Sequence, residues 1–241
     1  VRRSNVAGRA PVYVSRGGYS MAHTAVVIMA KAPYPGQVKT RLCPPLTPWQ
    51  AATLSRAFLA DKIAQVRTLT SSRPAIAYTP AAGEDFFAAL APDFTLLVQQ
   101  GSDLGERLIH SLEYFLNLGC AGVMAIDSDT PTLPTHCLQQ AIARLTRPDV
   151  DVVIGPSDDG GYYLIGLRAM HQALFVDMPW STSVVLPETV RRSTTLGLRV
   201  AWLPAWFDVD TPADLTRLRA SLSTTAGEAP WHTRNFFLQH T

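Results

Sequence analysis

The chain has 241 residues, of which 47% are apolar and 17% charged, an ordinary globular composition with enough apolar residues for one large core. Its formal charge of +2 rests on Arg2, Arg3, Arg9 and Arg16. Without those four of the 21 basic residues, 17 remain against 19 acids, so the body lacks the positive surplus of a nucleic-acid binder. The longest wholly apolar run is about six residues, against roughly 20 for a membrane helix.

Residues 1–22 form an Arg-rich, acid-free arm broken by Pro and Gly, read as a disordered or mis-called extension with Met21 near the functional start. From Thr24 to Ala30 the chain is continuously apolar, the pattern of a strand buried on both faces of a parallel sheet. A basic loop without acids follows from Lys31 to Leu46. Thr47-Pro48-Trp49-Gln50 then opens a helix to about Val66, with a capping box and proline at its first position. Leu54, Phe58, Ile63 and Val66 form its apolar stripe.

The alternation continues. Strands are expected at Ala75–Tyr78 and Phe94–Val98, separated by a short helix at Glu84–Leu90. Asp103 begins a helix in which Leu104, Leu108, Leu112 and Phe115 recur at helical spacing. The run Ala121–Ile126 reads as a buried strand, followed by a helix near Thr135–Leu145. Val152–Gly155 and Tyr162–Leu167 read as further strands, Leu186–Leu196 as a helix and Leu198–Leu203 as the last strand. Thr211-Pro212-Ala213-Asp214 caps a final helix to about Leu222. This order predicts a single doubly wound, mostly parallel α/β domain over residues 23–222. The 223–241 tail carries a Trp231/Phe236/Phe237 cluster that would dock on the body or on a second copy of the chain, which leaves a homodimer open. Cys43, Cys120 and Cys137 form no CxxC pair and are odd in number, which points to reduced thiols in a cytoplasmic protein, with no disulfide or zinc framework.

The chemistry is expected at strand ends. Asp127-Ser128-Asp129-Thr130-Pro131 follows a buried strand directly, where sheets of this kind bind ligands. In extended backbone, residues two apart share a side, so Asp127 and Asp129 can face one point and suit Mg²⁺ or Mn²⁺. The same pentapeptide is also good turn chemistry. Asp208-Val209-Asp210 repeats the spacing before a capped helix, whereas Asp214 is already occupied as the third residue of that cap. Lys31, Lys39 and Arg41 in the loop after the first strand are candidates for holding phosphates. The loop is neither a P-loop nor a dinucleotide fingerprint, because Gly36 is its only glycine.

Ser157-Asp158-Asp159-Gly160-Gly161-Tyr162 pairs acids with glycines that let backbone approach a ligand closely, although a tight turn explains them as well. Asp103 and Arg107 stand at a helix start that could take an anion, with Asp103 and Glu106 also matching an N-cap pair. Trp180 could stack on a sugar or base, or be a buried ring beside a helix cap. No HExxH helix or GxSxG elbow is present, so a hydrolase has no support.

Taken together, KAPYPGQVKTRL (Lys31–Leu42), QGSDLGERL (Gln100–Leu108), DSDTP, GPSDDGGYYLIGL (Gly155–Leu167), PWST (Pro179–Thr182) and DVDTPADL (Asp208–Leu215) resemble a bacterial group of GT-A-fold, nucleotide-diphospho-sugar transferase-like proteins. Members are associated with radical-SAM/selenodomain clusters or with arsenosugar biosynthesis. The layout is also similar to that of 2-phospholactate guanylyltransferases. The resemblance spans about residues 24–220 and implies an open α/β sheet that binds an activated nucleotide donor over Mg²⁺ or Mn²⁺.

On that resemblance Asp129 and Asp210 are the main metal ligands, with Asp127 and Asp208 completing the two pairs. Lys31, Lys39, Arg41, Asp103 and Arg107 would lie along the donor. Asp158, Gly160, Gly161, Tyr162 and Trp180 would lie on the acceptor side; Asp158 or Asp159 could serve as base or acceptor anchor, with Asp159 counted as catalytic beside Asp129 and Asp210. The implied activity is glycosyl transfer to a small acceptor. The alternatives are nucleotidyl transfer with pyrophosphate release, and a nucleotide-binding accessory domain without turnover. Neither nucleic acid nor membrane is an expected partner.

Overall fold

The computed structural model describes residues 23–224 and 230–240, so the expectation for residues 1–22 lies outside it. Seven strands form one sheet: β1 (Thr24–Lys31), β2 (Ser72–Thr79), β3 (Thr95–Val98), β4 (Gly122–Ile126), β5 (Val152–Pro156), β6 (Tyr162–Leu167) and β7 (Val200–Trp202). Their order is β3-β2-β1-β4-β6-β5-β7. Only β6 runs against its neighbours; β1 pairs in parallel with both β2 and β4, and β5 with β7.

The helices between them are α1 (Pro48–Arg67), α2 (Glu84–Leu90), α3 (Leu104–Asn117), α4 (Thr135–Leu145), α5 (Val185–Thr195), α6 (Pro212–Thr224) and α7 (Trp231–Gln239). The expected capping box is present at α1: the Thr47 hydroxyl accepts from Gln50 N at 3.2 Å, and Thr47 N donates to the Gln50 side chain at 2.9 Å. β2 is longer than Ala75–Tyr78 because ladder bonding to β1 extends it through the polar pair Ser72-Arg73. β7 is shorter than Leu198–Leu203, since only Val200–Trp202 pair with β5.

Alternation sorts each central strand onto both sheet faces. Val26, Ile28, Met124 and Ile126 pack with Leu59, Ile63 and Val66 of α1 and Leu138 of α4. Ala25, Val27, Val123 and Ala125 face Leu108, Leu112 and Phe115 of α3. A third cluster lies beyond the carboxyl edge of the sheet. There Leu42 and Val209 are fully buried with Leu54 and Phe58 of α1, Leu215 and Leu218 of α6, and Phe236 and Phe237 of α7.

The tail therefore docks on its own body. Asp61 of α1, itself buried, serves as a cap supplied from another helix: its carboxylate accepts His232 N at 2.9 Å, Thr233 N at 2.8 Å and the Thr233 hydroxyl at 2.6 Å. Asp61→Ala leaves those donors without their acceptor and should cost about 2–3 kcal/mol, seen as a midpoint drop of about 5–10 °C in thermal unfolding. Asp61→Asn, which keeps an acceptor oxygen, should lose less.

Candidate active site

The chain leaves β1 for β2 on one side, while β4 flanks β1 on the other. The carboxyl ends of β1 and β4 thus form the crevice where this type of sheet takes ligands. Three loops meet there. The first, after β1, carries Lys39 and Arg41. Lys39 has a left-handed backbone (φ 48°), and a short 3₁₀ turn follows at Thr40–Leu42. Burial of Leu42 in the third cluster anchors this loop.

The second loop continues β4. Asp127 N still donates to Tyr163 O of β6 at 3.0 Å, before Thr130 turns the chain back. The third runs from β7 to α6. Val209 points into the apolar cluster, so by alternation Asp208 and Asp210 project the other way. Val209 N donates to Asp129 O at 3.0 Å, which clips the second acidic pair onto the first.

The result is a convergence of Asp129 and Asp210 on one cation. Lys39 Nζ lies 2.9 Å from Asp129 Oδ1 and 2.8 Å from Asp210 Oδ1, and donates to Val209 O at 2.8 Å. Its side chain is 5% exposed. Burial is the strongest influence on this ammonium and opposes it, but attraction to Asp129 and Asp210 prevails and raises its pKa. Lys39, expected on donor phosphates, instead neutralises the carboxylates. Arg41 is 70% exposed, with its guanidinium 4.0 Å from Asp210, and Lys31 is exposed at the end of β1.

Two further carboxyls lie within electrostatic reach of this centre. Asp127 accepts from the Thr130 hydroxyl at 2.7 Å, and burial raises its pKa to about 6, with Asp129 adding to the rise. Asp208 is pushed up to about 7 by burial and then by the charges of Asp159 and Asp210. From the ordinary carboxylate range up to about pH 7, such a group is protonated in the native state while already ionised in the unfolded chain. Its stabilising contribution is complete below the ordinary carboxylate range near 4 and is lost as pH rises through about 7. Asp208→Asn should therefore raise the unfolding midpoint by about 2–4 °C at pH 8, with the gain shrinking toward pH 4.

The loop after β5 joins this cluster. Ser157 bridges to Trp206, and Asp158 N donates to Trp206 O at 3.0 Å. Asp159 accepts from Ser157 Oγ and from Gly161 N, the latter at 2.9 Å. Asp158 turns away to pair with Arg217 at 2.7 Å. Gly160 has φ +91°, and a Cβ there would lie 2.3 Å from Ser183 O, so only glycine lets this loop rest against the chain entering α5.

Of the two readings of the α3 start, the structure takes the N-cap. Asp103 accepts Glu106 N at 2.8 Å as an N-cap, which puts a carboxylate where an anion was expected. Arg107 spends its Nε on Gly101 O at 3.1 Å. Trp180 is partly buried and meets Tyr162 edge-on, with ring centroids 6.5 Å apart. Gly105 permits that approach, because a Cβ there would come within 2.9 Å of Trp180 Nε1.

Against known proteins, the family model described as "Uncharacterized protein conserved in bacteria (DUF2064)" matches residues 62–182. The chain belongs to this family. A candidate nucleotide-diphospho-sugar transferase from Desulfovibrio desulfuricans G20 superposes on this DUF2064 protein with a TM-score of 0.84 and 32% identity, covering 91% of this chain and 96% of that one. A cytidylyltransferase from Leptospira borgpetersenii serovar Hardjo-bovis aligns at TM-score 0.58 and 10% identity, over 90% and 93% of the two chains. Glucosyl-3-phosphoglycerate synthase from Mycobacterium tuberculosis, in complex with Mn²⁺, UDP and phosphoglyceric acid, aligns at 0.51 and 12%, over 93% and 84%. These likenesses establish the open, mostly parallel nucleotide-diphospho-sugar transferase fold. No curated protein sequence matches the chain.

The site also rests on a residue outside the acidic pairs and the basic loop. Lys62, on α1 and 2% exposed, donates to Thr130 O and to Thr130 Oγ1, both at 3.1 Å, and to Gln65 Oε1 at 3.1 Å. Burial lowers its pKa despite attraction to Asp127 and Asp129. Thr130 passes the interaction on by donating to Asp127, so a buried ammonium underlies the whole Asp127–Thr130 turn. The signal in the sequence was a lysine midway between Phe58 and Val66, four residues from each, on an otherwise apolar stripe.

Among the described residues, no group of three or more His, Cys, Asp or Glu side chains is disposed to hold a metal ion. Two carboxylates that already share an ammonium nevertheless fit a hard divalent cation that draws its other ligands from phosphate and water.

Proposed function

We propose that the protein is a metal-dependent glycosyltransferase that moves a sugar from a nucleotide-diphosphate donor to a small acceptor. The observation that carries this reading is the meeting of Asp129 and Asp210 on one cation at the β1/β4 crevice. The 32% identical transferase-like protein supports it. Affiliation with the radical-SAM or arsenosugar-associated groups rests on the motif resemblance.

On this reading Asp129 and Asp210 would hold Mg²⁺ or Mn²⁺, which when bound stabilises charge on the departing diphosphate. Asp127 and Asp208, the other members of the two acidic pairs, would serve as further carboxylate ligands, losing their protons as the metal binds. Lys31 and Arg41, exposed at the mouth of the crevice, are suited to gather the donor phosphates. The Gly160-Gly161 turn and Tyr162 border the acceptor side, where Asp159 would anchor the acceptor, whereas Asp158, expected there, is held away by Arg217. Asp159 remains a base candidate. Asp208, which titrates near neutrality, is the second, since a base works best when its pKa lies near the working pH.

A product assay with Mn²⁺ and a panel of small acceptors tests the proposal. Release of nucleoside diphosphate from UDP- or GDP-sugars is the expected result. Pyrophosphate release from a nucleoside triphosphate would replace it with nucleotidyl transfer. Tight nucleotide binding without turnover across the panel would leave a non-catalytic binding domain.

A further inference from the structure

In a carboxylate pair built to receive a divalent cation, an ammonium at the shared point is a competitor. Lys39 does not pass by this centre; all three donors of an ammonium are accounted for by Asp129, Asp210 and Val209 O at 2.8–2.9 Å. Nor is it a surface lysine that happened to settle there. The left-handed backbone at Lys39 and the buried Leu42 aim its side chain inward, and the amine is within cation–π reach of Phe58, at 5.8 Å from the ring centroid.

We propose that Lys39 is a resident cation that keeps the Asp129–Asp210 pair closed to divalent metal until a polyphosphate draws its ammonium away. The inference builds on the reading of Asp129 and Asp210 as a cation site, but not on which group is transferred. Two charge states are compatible with the crevice. In one, Lys39 neutralises the two carboxylates and no further cation is needed. In the other, a divalent ion sits between them, and Lys39 must find another anion, because a buried ammonium facing a metal ion would be strongly repelled. A diphosphate entering past Lys31 and Arg41 offers that anion, and it also supplies oxygen ligands which two carboxylates alone do not. Metal and polyphosphate are then coupled through one side chain, and the coupling is reciprocal.

The test uses Mn²⁺ alone and Mn²⁺ with inorganic pyrophosphate, read by electron paramagnetic resonance of bound Mn²⁺ and not by activity. Lys39→Met, which keeps the length of the side chain and removes its charge, should bind Mn²⁺ at least about tenfold more tightly than the natural protein in the absence of pyrophosphate. The enhancement that pyrophosphate confers should shrink correspondingly in the variant. Should Lys39→Met fail to fold, acetic anhydride labelling of the natural protein read by peptide mass spectrometry decides. Lys39 should be protected in the metal-free protein and become labelled at saturating Mn²⁺.

Equal Mn²⁺ affinity in the two proteins, or Lys39 protection unchanged at saturating Mn²⁺, overturns the proposal. These outcomes are separable from the functional assignment. A protein that shows the Lys39 competition yet releases neither nucleoside diphosphate nor pyrophosphate keeps the latch and loses the transferase reading. Turnover without competition does the reverse.

Discussion

Asp129→Asn should lower turnover by about a thousandfold, or roughly 4 kcal/mol of barrier, while circular dichroism and the unfolding midpoint stay close to those of the unchanged protein. The selectivity of the effect follows from where Asp129 is held. Its backbone oxygen, not its side chain, accepts Val209 N, so the clip between the two acidic loops survives substitution. The side chain contributes a charge to the shared cation and little to the apolar core. An amide of the same shape keeps one oxygen but removes that charge. Full activity in the variant, or full activity of the natural protein in EDTA, would remove the case for a metal-dependent transferase at this site.

Lys62→Met should act on both stability and activity, through the underside of the same loop. It leaves Thr130 O and Thr130 Oγ1 without their buried donor and strips Asp127 of its nearest positive charge. Breaking a buried charged contact of this kind costs about 3 kcal/mol. The pH dependence separates the charge from mere packing. Asp127, already raised to about 6 by burial, is pulled back most strongly by Lys62. Without that pull its pKa climbs further, and keeping it ionised becomes more costly. The stability loss should therefore be larger at pH 8, where Asp127 must ionise, than at pH 5, where it holds its proton. A loss independent of pH in chemical-denaturant titrations would mean that Lys62 serves only to fill space. Turnover should fall alongside, because the Asp127–Thr130 turn positions Asp129.

The carboxylates of the centre on which both substitutions act were visible in the sequence one at a time. Asp129 and Asp210 stood out because each follows a strand at a ligand-binding edge. The apolar Val209 between two acids already implied that Asp208 and Asp210 share a side. The alternating order of elements, the capping box at Thr47 and the four-residue stripes of α3 and α4 are local signals, set by backbone periodicity and short-range hydrogen bonds. They were sufficient to predict an α/β sheet with its chemistry at the carboxyl ends of the strands.

What the chain could not state locally was who neutralises whom. Lys39 precedes Asp129 by 90 residues and Asp210 by 171, and its partners come from two other loops. Asp103 could be read from sequence both as a helix cap and as part of an anion site; only the bond of Arg107 back to Gly101 and the cap actually formed decide against the anion. Lys62 carries no local sign of its role because its Thr130 acceptors lie 68 positions away. Local sequence determined where strands end and which charges stand there. Only the tertiary structure decided which of those charges are buried against each other, since electrostatic pairing depends on distance and desolvation in three dimensions and not on spacing along the chain.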